Sequence, residues 1–365
     1  MLEEGRIGVR QVFFMMFWLF LSTAILTLPA VISRYAPRDA WMDAVLFIPL
    51  GGTAAWLTAR LGRMFPQQTI VEYSDVILGP WLGKLASLIL IGWALHTGSV
   101  AFFEVGDFIK SSILQETPLF VILILINVAP AYVVYHGIEV LGRTSDFLFP
   151  LTTGFTVLIF ILLIPDFEPT KLLPLFGDGI GNVLRPLKTV VGFSGEVIVF
   201  LFFFPYIKDK QKAVKALVGA EVAIVAVGIL SEAAYTMVFG LERSELNLPF
   251  YHMARYVSVG RFFERMDPFF MGANLLANFI KESILLYVVV LGLAQLFKLK
   301  NYRPLIIPVS LMINLIGVYG FKNSPQLLDF IDNVWPLYTL PLEFGLPLLL
   351  IIVARWRGLG GGTQK

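Results

Sequence analysis

Ten apolar stretches, most of about 18–25 residues, decide what this chain can become. They fall near 11–33, 41–63, 82–109, 118–137, 144–164, 187–206, 213–239, 267–297, 303–321 and 334–355. A helix of that length crosses the hydrocarbon of a bilayer and satisfies its own backbone there. Charge confirms the reading. Of 365 residues, 57% are hydrophobic and only 15% charged, too little charge to clothe a soluble surface of this size. The expected class is an all-α membrane protein, a single transmembrane domain over 1–365 with a flexible tail at 356–365. The stretches 82–109 and 267–297 are long for a bilayer, which predicts tilt or projection beyond it.

Several functions are excluded at once. A net charge of +2 with no basic tract gives no grip on nucleic acid. Cysteine is absent, and His96, His136 and His252 are too scattered to suggest a metal centre. No nucleotide loop or nucleophile triad occurs, so neither a cofactor nor an enzymatic activity is expected. Glu3, Glu4, Arg6 and Arg10 precede a long span rather than a short signal core, so the first helix itself should direct insertion. The cluster Lys208, Lys210, Lys212 and Lys215, with Lys298, Lys300 and Arg303, favours both termini on the cytoplasmic side.

Ten spans divide into five (11–164) and five (187–355). An odd number inverts the second set relative to the first. Span 1 carries the breaker-rich stretch Ser22–Pro29 and span 6 carries Gly192–Glu196. Interrupted segments at matching positions of two halves point to a binding site built partly from backbone. The candidate ligand-binding residues are therefore Ser22, Thr23, Ala24 and Thr27 on helix 1, with Gly192, Phe193, Ser194, Gly195 and Glu196 on helix 6. An unwound Gly192–Gly195 would offer free N–H and C=O groups to a carboxylate, and Glu196 would accept an ammonium or titrate. The competing reading is a simple proline kink in helix 1 and glycines that serve close packing in helix 6.

Flanking positions are weighed in the same way. Glu104 on helix 3 stands as a polar-network or coupling residue, while Asp107 and Lys110 are expected to pair at the membrane boundary. On helix 8, Asn274, Asn278 and Lys281 share one face, which lines the cavity or forms an internal clamp. Lys281 and Glu282 must face protein and are expected to pair. Glu221 and Glu232 on helix 7 are expected to make structural hydrogen bonds.

The whole pattern resembles the amino acid–polyamine–organocation transporter fold, with its LeuT-like inverted repeat. More narrowly it resembles the endospore germination permeases, the B subunits of nutrient germinant receptors. The motifs that carry this are Ala24-Ile25-Leu26-Thr27-Leu28-Pro29, Glu72-Tyr73, Thr117-Pro118, Gly142-Arg143 and Phe262-Phe263-Glu264-Arg265-Met266-Asp267-Pro268. Two departures stand out: Ser22 or Thr23 occupies a place where family members commonly carry glycine, and no lysine stands in the middle of helix 5. The resemblance implies a subunit of the spore inner membrane that binds a small nutrient, an amino acid, between helices 1 and 6. It also implies partners, a larger membrane subunit and a lipoprotein. An ion-coupled amino-acid transporter would use the same site and remains the alternative, as does a membrane subunit without a ligand.

Overall fold

A computed structural model describes residues 2–259, 263–264 and 266–360. Phe262 and Arg265 of the last motif, and 361–365 of the tail, lie outside the described residues. Among the described residues ten helices are long and apolar enough to cross a membrane. They are helix 1 (Val9–Ser33), helix 2 (Trp41–Met64), helix 3 (Pro80–Ser112), helix 4 (Leu119–His136) and helix 5 (Ile138–Asp166). Helix 6 (Ile180–Tyr206), helix 7 (Lys210–Glu245), helix 8 (Asp267–Leu296), helix 9 (Arg303–Gly320) and helix 10 (Trp335–Trp356) follow.

Their packing pairs elements five apart. Helix 1 touches helix 6, helix 2 lies along helix 7, helix 3 along helix 8 and helix 4 along helix 9. Two inverted halves of five make such pairs. The helix 4–helix 9 contact is glued by Asn127, which donates to Asn314 Oδ1 at 2.9 Å and to the Ser310 carbonyl at 3.1 Å. Past its first two turns helix 1 is buried on every side, and the apolar run 15–21 accordingly lies inside the bundle.

The expected interruption of helix 1 is not there: Val9–Ser33 is one continuous α-helix with Pro29 inside it. Pro29 removes only the donor to the carbonyl one turn back, a defect one helix can absorb. Hydroxyls stitch the stretch instead. Thr27 Oγ1 donates to the Thr23 carbonyl at 3.3 Å and Ser33 Oγ to the Pro29 carbonyl. Helix 6 does change, but by tightening rather than unwinding. Its α-helix ends at Ser194, and a 3₁₀ segment runs over Gly195–Val199 before a last short α-turn, Phe200–Phe203.

Boundaries move by a few residues. Helix 5 begins at Ile138, which puts Arg143 inside it beside Glu139. The connection 165–186 carries short helical turns at Pro169–Leu172 and Ile180–Leu184. The helix Ile70–Leu78 after helix 2 is capped by Thr69 and Glu72: Glu72 Oε2 accepts from the Thr69 N–H at 2.8 Å. A second short helix, Pro249–Tyr256, precedes helix 8, and a third, Ser324–Asn333, precedes helix 10.

The N-terminal segment closes one end of the bundle. Ile7 N–H donates to the Tyr206 carbonyl and Lys208 N–H to the Ile7 carbonyl, both at 3.0 Å, beside the end of helix 6. Glu3 is buried there and accepts from the Ile138 N–H at 3.2 Å, Tyr287 OH at 3.3 Å and Tyr302 OH at 3.2 Å. Burial, and after it the Glu3 carboxylate, pushes the Tyr302 hydroxyl up, so it stays a donor. Helices 5 and 8 and the approach to helix 9 are thus tied to one carboxylate.

Candidate functional site

The centre of the bundle holds an ion pair. The 3₁₀ segment of helix 6 presents Glu196, and helix 8 presents Lys281, each 1% exposed. Lys281 Nζ donates to Glu196 Oε1 at 2.9 Å and Oε2 at 2.8 Å, and to Thr23 Oγ1 of helix 1 at 2.7 Å. The ammonium also sits 5.8 Å from the Phe193 ring centroid. All three donor hydrogens of the lysine therefore have oxygen partners in a region without water access.

A small cavity of about 10 Å³, room for roughly one water, lies against this pair. Thr23, Thr97, Glu104, Glu196 and Lys281 form its polar wall, and Val100, Ala101, Phe193, Ile331 and Trp335 its apolar wall. Helices 1, 3, 6, 8 and 10 and the short helix Ser324–Asn333 all contribute.

Five of the sequence candidates thus meet: Thr23, Phe193, Glu196, Glu104 and Lys281. Others are placed elsewhere. Thr27 lies against Glu104 with its hydroxyl on its own helix. The Ser22 carbonyl accepts from Asn274 Nδ2 at 3.1 Å and Asn278 Nδ2 at 3.3 Å, so this face of helix 8 clamps helix 1. Ala24 lines a separate apolar cavity with Ile25 and Pro29, toward helices 2 and 7. Ser194 Oγ donates to the Val191 carbonyl at 2.8 Å, within its own helix.

The glycines of helix 6 face helix 10 rather than the cavity. A side chain on Gly192 would meet Thr339 Oγ1 and Trp335 Cδ1 at 3.1 Å. A Cβ on Gly195 would fall 2.0 Å from Glu343 Oε2 and 2.4 Å from Glu343 Cβ. Trp335, Thr339 and Glu343 recur at four and four, so one face of helix 10 rides on the two glycines. Gly195→Ala is therefore expected to lower stability by about 1–3 kcal/mol through overpacking. Gly52→Ala, with nothing within 4 Å, serves as the silent control. Thermal melts of the two purified variants check this.

Other pairings also differ. Lys281 pairs across helices with Glu196 instead of with Glu282, because neighbours on a helix point about 100° apart. Asp107 accepts from Ser324 Oγ instead of pairing with Lys110. Glu232 pairs with Arg243 as a structural bond, whereas Glu221 Oε2 is buried without a partner. His96 makes a helix-to-helix bond, its Nδ1 2.9 Å from Tyr338 OH. Thr97, Ile331, Trp335 and Glu343 had not been singled out. Glu343 carried a signal, a carboxylate inside an apolar span, which marks function by default.

Known proteins agree with this architecture. The sequence model of a family described as spore germination protein matches residues 6–324. Spore germination protein KB of Bacillus subtilis (strain 168) is 30% identical over 98% of this chain and 96% of its own length. Spore germination protein YndE of the same organism is 28% identical over 93% and 94%. Among solved structures, MhsT in complex with L-phenylalanine superposes with a TM-score of 0.68 at 15% identity, covering 96% of this chain and 99% of that one. A Na⁺-coupled sialic acid symporter gives 0.67 at 14% identity, covering 96% and 80%. These likenesses show the LeuT-like fold. With its family model matched along most of its length, the chain belongs to the spore germination proteins, as an integral membrane permease of that fold.

Proposed function

We propose that this protein is the membrane subunit of a spore germinant receptor that binds a small nutrient, an amino acid, at the Glu196–Lys281 pair. The supporting observation is the pair itself, buried in the wall of a small cavity. A zwitterion can part the two groups without leaving either alone. Its ammonium takes the Glu196 oxygens, and its carboxylate takes Lys281 and the Thr23 hydroxyl. An amine or an acid alone would leave one buried charge uncompensated, at a cost of about 3–5 kcal/mol. That corresponds to about two to four powers of ten in affinity. Val100, Ala101, Phe193, Ile331 and Trp335 then surround an apolar side chain, for which the walls must move apart, since the packed cavity has room for about one water.

Germination enters through the relatives, which are named as spore germination proteins. In this reading 11–164 and 187–355 are the two repeats, both termini are cytoplasmic and the membrane is the spore inner membrane. Ligand binding favours one arrangement of the helices, by its differential affinity for the two. A larger membrane subunit and a lipoprotein receive the change. Purified protein titrated with apolar L-amino acids should show a melting temperature that rises with concentration. The amine and the carboxylic acid carrying the same side chain should give no such rise. Equal stabilisation by all three would sink the zwitterion reading.

The second reading is ion-coupled transport, favoured by the shared fold with MhsT and the Na⁺-coupled symporter. Radiolabelled amino-acid accumulation in proteoliposomes decides it. A sensor binds without accumulating its ligand, and a transporter concentrates it.

A further inference from the structure

Glu343 lies outside the cavity wall but inside its charge system. Helix 10 passes through a π turn at Pro341–Gly345, a register change that recurs at functional sites. The turn aims Glu343 at helix 6, where the carboxyl rests on the bare backbone of Gly195, the residue that opens the 3₁₀ segment carrying Glu196. Glu343 is 1% exposed, and neither oxygen has a hydrogen-bond partner. The Trp93 indole of helix 3 approaches it without reaching hydrogen-bond geometry.

The charged groups that act on it are Glu196 from helix 6 and Lys281 from helix 8. Tyr338 of helix 10 stands near it too. Helix 2, packed on the same turn, adds no charged group among the described residues. Lys281 is already committed to Glu196 and Thr23. A carboxylate with no donor and no free cation inside a membrane bundle is among the costliest arrangements, and a neutral carboxylic acid is far less so.

From this juxtaposition, an unpartnered and fully buried carboxyl on a π turn pressed against the ligand-bearing segment, we propose that Glu343 is a proton-binding residue coupled to closure of the site. While helices 6 and 10 are packed together, Glu343 holds one proton as a carboxylic acid. When they separate, water reaches the carboxyl, the O–H bond breaks and the proton passes to the aqueous side. Closing around a ligand takes one proton back. The inference rests on the cavity being a ligand site, as proposed above, and adds the proton as its partner.

The sign follows from linkage. The closed, ligand-bound form holds one more proton than the open form, so affinity falls as pH rises, by up to about tenfold per pH unit. Glutamine is a neutral mimic of the protonated acid, so E343Q removes the dependence. The full chain in nanodiscs is titrated calorimetrically with L-valine, the other apolar L-amino acids run alongside, in buffers of different ionisation enthalpy. Wild type should take up about one proton per ligand bound. E343Q should take up none, with an affinity flat in pH. Glu282→Gln, which alters another unpartnered buried carboxyl, should behave as wild type. No proton uptake in wild type, equal uptake in E343Q, or loss of uptake in the Glu282→Gln variant instead would each overturn the assignment. Infrared spectra of the ligand-free protein at acidic pH, where protonation itself favours the packed arrangement, give a second readout. A carboxylic-acid C=O band present in wild type should be missing from E343Q, and its persistence there would overturn the proposal even if E343Q bound no ligand. Absence of saturable binding in wild type would instead overturn the ligand-site reading, with the infrared band still deciding the proton.

Discussion

Replacing Lys281 by methionine is expected to cost about 3–5 kcal/mol of stability, because it leaves the Glu196 carboxylate buried without a cation. Glu196→Gln is expected to cost a similar amount, since it leaves the buried Lys281 ammonium with only neutral acceptors, the Thr23 hydroxyl and the new amide oxygen, and no counter-charge. The double variant should recover most of the loss. Two neutral side chains of similar volume carry no charge-desolvation penalty, and buried ion pairs exchanged for well-packed apolar groups are often neutral in stability or better. Denaturant unfolding of the three variants in detergent gives the coupling between the two residues directly. Ligand binding behaves differently. It should be lost in all three, because a zwitterion needs both charges. A double variant that still bound an amino acid with wild-type affinity would show that the pair is a structural clamp and no more.

The second large effect lies at the far end of helix 7. Arg243 is fully buried and donates through Nε to Ser33 Oγ at 2.9 Å, and through Nη1 to the Glu232 carbonyl at 3.0 Å and Thr236 Oγ1 at 2.8 Å. Nη2 meets the Glu232 carboxylate, and the guanidinium carbon sits 5.5 Å from the Tyr235 ring centroid. One side chain thus locks the end of helix 1 to the end of helix 7, with the unpartnered Asp43 of helix 2 close by. Arg243→Met should lose about 3–5 kcal/mol, as the Glu232 carboxylate stays behind. Arg243→Lys should rescue little of this, because an ammonium has three donors on a flexible stem and cannot reproduce a planar fork that reaches four acceptors. The midpoint of thermal unfolding separates these outcomes, and a lysine variant as stable as wild type would refute the geometric argument.

Much of this protein is legible without coordinates. The ten spans follow from apolar length alone, since hydrocarbon leaves few other ways to satisfy a backbone. Their division into two inverted fives follows from counting. That Glu104, Glu196 and Lys281 belong together is half legible. Each is an ionisable group in a span and must find protein, but which group it finds depends on the rotation of three separate helices. The glycines of helix 6 show the limit most clearly. In sequence, Gly192 and Gly195 read as a break in the helix, with a packing surface as the competing reading. Helix 10 decides between them, because Trp335, Thr339 and Glu343 occupy the space that side chains there would need.

Helix 1 makes the same point from the other direction. Ser22, Thr23, Thr27 and Pro29 carry the composition of an interrupted helix, yet the segment stays α-helical. Its own hydroxyls bond within their turns, and its surroundings add Asn274 and Asn278, which donate to the Ser22 carbonyl from helix 8.

What the sequence determined by itself is the set of elements, because burial of apolar length and backbone satisfaction are local demands that each span meets alone. Which carboxylate Lys281 chooses, which way the glycines face, and that Glu343 joins the centre are settled only in the assembled bundle. Those outcomes depend on distances between helices far apart in the chain, and no property of one segment contains them.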